Sequence, residues 1–328
     1  MRFNALFDLS DERGVLRTSI AVTVVIAFFG IAFGLLSGSF SIMFDGVYAL
    51  VDASMSLLAL AVVNLIRSYT TSTALSQRLR ERFTVGFWHL EPIVLGLNGV
   101  LLIGVAIYAL INAVSSLLTG GRDLEFGFAI VYAAVTAIAC ITIAAIEIQA
   151  NRKINSDFIR LDVRSWLMSA GISAALLIAF CIGYAIQGTQ WIGISPYIDP
   201  LVLALVCVII IPLPISTVKQ ALSDILLVTP SDLKQHVDRV AGDIVQKYGF
   251  ASYRAYVAKV GREKQIELYF IVPQAAPARK ISYWDAISDE IGDAIGEDTP
   301  DRWLTIVFTG DPEWAGETPV AAPTAPLT

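Results

Sequence analysis

Two aspartates stand inside an apolar run that is long enough to cross a membrane. Asp45 and Asp52 lie with Tyr48 in the run Ser41–Ile66, at spacings of i, i+3 and i+7 that place two carboxylates and a phenol on one helix face. An ionisable side chain inside a bilayer is costly and is by default a candidate functional site. Asp52 lies about 16 Å into the run at 1.5 Å per residue, so we expect it near the bilayer midplane. A cation, a proton or a water-filled cavity must solvate it there.

Each of these three side chains also has a purely structural interpretation. Asp52 could be a neutral or salt-bridged carboxylate that only holds helices together. Asp45 is near the outer end of the run, where it could reach the interface or cap the helix. Tyr48 could simply pack against another helix, since a phenol with a pKa near 10 is a poor metal ligand. A cation site and a packing role therefore both remain open for this helix face.

The composition indicates that this helix belongs to a membrane protein. Of the 328 residues, 55% are hydrophobic and only 16% are charged, and the mean hydropathy is +0.66. A helix needs about 20 apolar residues to cross a bilayer, and on that basis we predict six spans. They are Arg17–Ser37, Ser41–Ile66, Pro92–Leu118, Phe126–Ile148, Ser165–Gln187 and Ile198–Thr217.

Loop charges predict the orientation of the spans. Arginine and lysine concentrate between spans two and three and between spans four and five, whereas the other loops are nearly free of cations. Because positively charged loops stay in the cytoplasm, both termini are predicted to be cytoplasmic. No cleavage signature follows the first span, which we interpret as a retained helix. The short N-terminal segment favours a multi-pass protein of the bacterial inner (plasma) membrane.

After residue 228 the pattern becomes that of a small mixed domain. A helix of about Ser231 to Tyr248 is followed by two strands, a second helix and a third strand. The last four elements are predicted at Ser252–Val260, Lys264–Val272, Ile281–Ile295 and Trp303–Phe308. The order α-β-β-α-β suits a ferredoxin-like open sheet with both helices on one face.

The predicted fold class is thus an α-helical membrane protein with six transmembrane helices followed by a small cytoplasmic α+β domain. The predicted parts are a cytoplasmic N-terminal segment (1–16), a transmembrane domain (17–228), the α+β domain (229–312) and a tail (313–328). The tail is rich in proline and alanine and has little to bury, so we expect it to be disordered.

Several function classes are excluded by the sequence. A net charge of −6 and a pI near 5.0, without basic clusters, argue against a nucleic-acid partner. No GxxxxGK[ST] loop supports ATP-driven pumping. Neither histidine, His89 or His236, lies inside a span, so no Ser-His-Asp arrangement supports hydrolysis, and the three cysteines form no CxxC pair. We therefore expect neither an enzyme nor a bound cofactor.

Four features together resemble a cation diffusion facilitator. They are the run Ser41–Asp52, the segment Gly86–Pro92 at the start of span three, Tyr197–Pro200 at the start of span six, and the C-terminal α-β-β-α-β order. The resemblance covers essentially residues 17–312. It implies a homodimer that exports divalent cations, usually zinc, cadmium, cobalt, manganese or iron, in exchange for protons.

The resemblance also implies where the transported cation binds. Members of that family use a histidine or aspartate followed four residues later by an aspartate, once on span two and once on span five. The four positions correspond here to Tyr48, Asp52, Ser165 and Ser169. Asp52 is the only carboxylate among them, although Asp45 or Asp162 could join by facing inward. The two serines could equally allow close helix packing.

Such a site would consist of oxygen ligands. Zinc favours tetrahedral sites of histidine, cysteine and carboxylate, whereas oxygen-only ligation suits manganese, magnesium, sodium or a proton. Arg164 either extends to the membrane surface or turns inward to neutralise Asp52. His89 and Glu91 could capture cations or fix the start of a helix.

The C-terminal domain lacks most of the metal ligands that the resemblance implies. Asp311 is present, but Thr309 occupies the position of the companion histidine, and His236 is the only histidine of the domain. We therefore expect a domain that dimerises without a high-affinity zinc cluster.

Two functions remain open on the sequence alone. One is a proton-coupled cation exporter centred on Asp52. The other is a transport-incompetent structural or regulatory subunit that pairs with a complete exporter through its C-terminal domain. Asp52, Asp45 and Asp162 around one cavity would favour transport, whereas Arg164 or a dry apolar shell closing on Asp52 would favour the subunit.

Overall fold

The computed structural model describes residues 12–70, 81–83, 86–154 and 157–316. Six helical segments within these residues are long and apolar enough to cross a membrane, which confirms the predicted number. The helices are α1 (Glu12–Ser37), α2 (Phe40–Thr70), α3 (Leu90–Leu118), α4 (Phe126–Ile154), α5 (Asp157–Ile186), α6 (Ile198–Ile210) and α7 (Ile215–Ile225). A short 3-10 helix, Ile192–Tyr197, leads into α6, and α6 and α7 together form the sixth segment.

Several helices extend beyond the predicted spans, as α5 does by beginning at Asp157 instead of Ser165, and one predicted span is broken. The cations Arg152 and Lys153, assigned to a loop by the sequence, lie on the last turn of α4, because lysine and arginine are good helix formers and the helix continues past its apolar part. The sixth span was predicted as one helix, but it breaks between α6 and α7. Pro212 and Pro214 lie in the break and cannot donate backbone hydrogen bonds.

The chain divides into two compact units. One combines Met1–Leu60 with Leu97–Val218, and the other combines Ala61–Gly96 with Lys219–Thr328. The first unit contains most of the helical bundle, and the second contains the sheet. The predicted domain limits at residues 16, 228 and 312 stay predictions.

In the first unit, α1 and α2 approach to backbone contact. A Cβ atom on Gly46 would lie 2.7 Å from the carbonyl oxygen of Ala27 and 2.7 Å from the amide nitrogen of Ile31. A Cβ atom on Gly30 would lie 2.9 Å from the hydroxyl of Tyr132. Only glycine fits at such distances, and small residues are how membrane helices approach closely.

The start of α2 is capped by a buried aspartate from α6. The hydroxyl of Ser39 donates to Asp199 Oδ1 at 2.6 Å, and the backbone N–H of Phe40 donates to Oδ2 at 3.0 Å. Ser41 donates through its hydroxyl to the carbonyl of Asp199 at 2.9 Å. The first amides of a helix lack internal partners and favour a negative charge. Asp199, only 2% exposed, is therefore a satisfied structural carboxylate.

The second unit contains the predicted α-β-β-α-β order. Its elements are α8 (Ser231–Tyr248), β1 (Ser252–Val260), β2 (Glu263–Ile271), α9 (Ile281–Ile295) and β3 (Arg302–Thr309). β2 is central, antiparallel to β1 and parallel to β3. Both helices contribute to one core against the sheet, which includes Val237, Ala241, Ile244, Ile266, Leu268, Phe270, Ile287 and Ile291.

The tail is ordered at its beginning, where the sequence predicted disorder from residue 313. Pro312–Ala315 form a 3-10 helix, because Asp311 Oδ1 accepts from the backbone N–H of Glu313 at 3.0 Å. The hydroxyl of Tyr256 also donates to the carbonyl of Ala315 at 2.8 Å. Residues 317–328, the rest of the predicted tail, lie outside the described residues.

Candidate functional site

Asp52 is half-buried on α2 and contacts an amide of α3. Asn98 Nδ2 donates to Asp52 Oδ1 at 3.4 Å. The other end of the same amide, Asn98 Oδ1, is buried and has no hydrogen-bond partner among the described residues. A buried polar atom without a partner is costly and calls for an explanation. A cation next to Asp52 would give this oxygen a partner.

The ring of Tyr48 packs against apolar side chains, and the residue also lies near the carboxylate of Asp52. The two residues are close enough for electrostatic interaction. The ring of Tyr48 lies 5.6 Å from that of Phe44, beside an apolar cluster that includes Ala106 of α3 and Leu203 of α6. The packing interpretation therefore holds for the ring.

Asp162, near the start of α5, brings a second carboxylate to this region. It is half-buried and close enough to Asp52 for electrostatic interaction. In the described part of the chain, neither carboxylate forms an ion pair with a lysine or arginine. Two neighbouring ionised carboxylates repel each other unless a cation or a proton neutralises them. The pair is therefore suited to hold positive charge.

The other candidates on α5 are more exposed. Ser165 and Ser169 share a helix face with Asp162 through their i, i+3 and i+7 spacing, and both side chains are exposed in the single chain. Arg164 is also exposed. This position fits the interpretation in which Arg164 extends to the membrane surface, and it does not fit neutralisation of Asp52.

Asp45 lies in a separate contact. The hydroxyl of Tyr132 on α4 donates to Asp45 Oδ2 at 2.6 Å, and the ring of Tyr132 stacks on Phe29 of α1 at 5.9 Å. No contact between Asp45 and Asp52 is seen among the described residues. The structure thus brings Asp52, Tyr48 and Asp162 together and places Asp45 at the junction of α1, α2 and α4.

Two polar residues near this group were missed by the sequence analysis. Asn98 lies in predicted span three, and Glu147 lies in predicted span four, close to Asp162. Each was visible as a polar residue within an apolar run. Glu147 is an ionisable residue within an apolar span, which is the same signal that identified Asp52.

In the second unit, the start of α3 is held by an ion pair. Arg262, in the turn between β1 and β2, donates to both oxygens of Glu91 at 3.0 and 3.2 Å. His89 is exposed and lines a cavity of about 230 Å³ together with Asp224 and Glu263. Because Glu91 is engaged with Arg262, the contacts favour a structural role over joint cation capture with His89.

The C-terminal candidates for metal binding have structural partners. His236 Nε2 lies 3.1 Å from the carbonyl oxygen of Ile295. The backbone N–H of Asp311 donates to Thr309 Oγ1 at 3.0 Å, and the Asp311 carboxylate caps the following 3-10 helix. Across the described ranges, no group of three histidine, cysteine or acidic residues is arranged to hold a metal ion. A domain without a high-affinity zinc cluster stays a prediction.

Six apolar helical segments, each long enough to cross a membrane, define a multi-pass membrane protein as the class. The family of the cation efflux transmembrane domain matches residues 16–226, a range that contains every candidate residue of the bundle. The chain therefore belongs to the cation efflux family, whose members are multi-pass membrane transporters of metal cations and not enzymes. A comparison with curated proteins gave no match.

Proposed function

We propose that this protein exports divalent metal cations from the cytoplasm in exchange for protons, through a site centred on Asp52. The observation that carries the proposal is the group around that carboxylate. Tyr48 and Asp162 lie near it, and Asn98 presents a buried oxygen without a partner. Family membership makes a cation the natural occupant of this group.

The group around Asp52 contains only oxygen ligands, which supports a hard cation as the transported ion. The candidate ligands are two carboxylates, an amide oxygen, a phenol and serine hydroxyls, together with water. Manganese and magnesium accept such ligands and keep part of their hydration shell. Zinc, which prefers nitrogen or sulfur in tetrahedral sites, is a weaker candidate for this chain. The cation is the transported substrate, and no resident cofactor is proposed.

Proton exchange follows from the chemistry of a carboxylate near the midplane. Asp52 binds the cation while the site is open to the cytoplasm, and rearrangement of the helices then exposes the site to the other side. Protonation of Asp52 there weakens its hold on the cation, which leaves. Because few carboxylates carry the charge, the affinity is expected to be low and strongly dependent on pH.

The proposed assembly and location rest on the sequence and the family. We propose a homodimer in the bacterial inner membrane with both termini in the cytoplasm. The distribution of loop cations supports this orientation. Lipid, metal cations and protons are the proposed partners, and no nucleic acid is expected.

The two serines on α5 support a second candidate function. Ser165 and Ser169 stand where the resemblance implies stronger ligands, which would suit a transport-incompetent subunit of another exporter. The exposed position of Arg164 speaks against this alternative, because a neutralised Asp52 would need a cationic partner.

Cation flux into proteoliposomes tests the proposed function. Vesicles with an acidic interior are supplied in turn with Zn²⁺, Mn²⁺, Fe²⁺, Co²⁺ and Mg²⁺, with and without a protonophore. We expect uptake of manganese or magnesium that stops when the pH gradient is dissipated. Absence of flux for every ion, with correctly folded dimers, would support the regulatory subunit instead.

A further inference from the structure

Glu147 is a deeply buried carboxylate without a hydrogen-bond partner. Its side chain on α4 is 2% exposed, and neither Oε1 nor Oε2 has a partner among the described residues. Trp166 of α5 is a neighbour, but its indole N–H is donated to the hydroxyl oxygen of Ser19 at 2.9 Å. A bare carboxylate in such surroundings is strongly unfavourable.

Glu147 lies in apolar surroundings, and among the described residues no lysine or arginine is paired with it. Along α4 it lies between two apolar clusters that join α1, α4 and α5. One contains Cys140, Ala144, Trp166 and Ala170, and the other contains Val15, Ile159 and Val163. Within the residues that the structure describes, no lysine or arginine forms an ion pair with Glu147. An ionised Glu147 therefore needs a bound proton or a bound cation to balance its charge.

Asp162 connects Glu147 with the group around Asp52. It is close enough to interact electrostatically with both carboxylates. The three acids come from α4, α5 and α2 and lie in the same compact unit. One proton would neutralise one of two neighbouring carboxylates and leave the other charged. A divalent cation bound between Glu147 and Asp162 would balance both charges at once.

We propose that Glu147 and Asp162 form a second binding position for a hard divalent cation, beside the position at Asp52. The hydroxyl oxygen of Ser19 on α1 lies beside Glu147 and offers a further ligand, and water completes the coordination, as is usual for manganese and magnesium. Asp162 interacts electrostatically with both Asp52 and Glu147, and it is therefore common to both positions. This role in transport rests on the proposed function, but the binding itself does not.

Equilibrium binding of ⁵⁴Mn²⁺ to the purified full-length protein tests this inference. The variants are Asp52→Asn, Glu147→Gln and the double variant, with Glu125→Gln as the control. Glu125 is an exposed acid just before α4, so its substitution changes the charge equally without touching the bundle interior. We expect Asp52→Asn to keep a share of the bound Mn²⁺ that the additional Glu147→Gln substitution removes. Glu147→Gln alone should lower the amount bound, and Glu125→Gln should bind like the wild type.

A second measurement guards against a misfolded variant. Mn²⁺ is expected to raise the melting temperature of the wild type more than that of Glu147→Gln, because only the former gains the extra ion. Equal Mn²⁺ binding and equal melting shifts in the wild type and Glu147→Gln would overturn the inference. If Glu147→Gln binds like the wild type while Asp52→Asn abolishes flux, this inference fails and the proposed function stands. If the wild type shows no flux while Mn²⁺ binding depends on Glu147, the proposed function fails and this inference stands.

Discussion

At the scale of single residues, the candidate site depends on what surrounds Asp52. A lone carboxylate could be protonated and play no part in transport. The buried oxygen of Asn98 and the second carboxylate of Asp162 change this expectation, because each is better satisfied by a cation than by the protein itself. Asn98 is therefore expected to contribute directly to cation affinity.

Replacement of Asn98 by alanine tests this contribution. We expect the apparent KM for the transported cation to rise about tenfold, since an oxygen next to the ion is lost. The matched control is Asn112→Ala, because Asn112 is the other amide of α3 and accepts instead from Arg122 at 3.4 Å. Concentration-dependent flux in proteoliposomes gives both values. Equal effects of the two substitutions would show that Asn98 has no special role.

Glu263 gives a second prediction, in the α+β part of the chain. Its side chain is 2% exposed, and burial raises the pKa of this carboxyl above its ordinary value, with Asp301 adding to the effect and Gln265 opposing it. The folded protein therefore holds the proton more tightly than the unfolded chain, so this group's contribution to stability falls as pH rises from the unfolded pKa through the folded one.

The substitution Glu263→Gln removes this dependence. The free energy of unfolding of Glu263→Gln should exceed that of the wild type by an amount that grows between pH 5 and pH 8 and reaches about 1 kcal/mol. Thermal unfolding across that pH range measures it, with Glu267→Gln, a half-buried acid on the same strand, as the control. A difference that does not change with pH would contradict the assignment.

At the scale of the elements, the close contact of α1 with α2 positions the acidic helix face. Gly46 directly follows Asp45, and its approach to Ala27 and Ile31 brings α2 against α1. Any side chain at this position must move one helix away from the other. The hydrogen bond from Tyr132 to Asp45 depends on the same contact, since the Tyr132 hydroxyl lies against Gly30.

Gly46→Ala is therefore expected to destabilise the bundle. Overpacking of this kind costs about 1 to 3 kcal/mol, which should lower the melting temperature in detergent. Gly104→Ala on α3 is the matched control, because a Cβ atom there meets nothing within 4 Å and alanine favours a helix. If both variants melt alike, the contact does not stabilise the protein.

The elements were largely predictable from the sequence, and their contacts were not. Length and hydropathy gave six spans, and turn residues and alternation gave the order of the α+β part. The break in the sixth segment was missed, although Pro212 and Pro214 signal it. The capping of α2 by Asp199 depends on residues about 160 positions apart in the chain, which no local pattern can indicate.

The candidate site was predictable only in part, for the same reason. Spacing on one helix identified Asp52 and Tyr48, because both belong to one run. The partners Asn98, Asp162 and Glu147 come from three other helices, and only folding brings them near. Asp45 shares the helix face of Asp52 by spacing, yet Tyr132 binds it separately.

At the scale of the whole molecule, the chain joins a helical bundle that contains carboxylates with a small α+β fold. In the first unit, Asp52, Asp162 and Glu147 form a series of acids that come from different helices. In the second unit, the pair of Arg262 with Glu91 fixes the start of α3 to the turn of the sheet. Because the chain belongs to the cation efflux family, we propose that the series of acids in the first unit binds the transported cation.

The most direct test of the proposed function is cation flux in the same vesicles for the wild type, Asp52→Asn and Asp45→Asn. Both substitutions remove one negative charge from the same helix face, but only Asp52 lies within the proposed site. We expect Asp52→Asn to reduce flux to the level of empty vesicles, while Asp45→Asn, whose amide oxygen can still accept from Tyr132, retains substantial flux. Flux through Asp52→Asn equal to that of the wild type would contradict the proposed function.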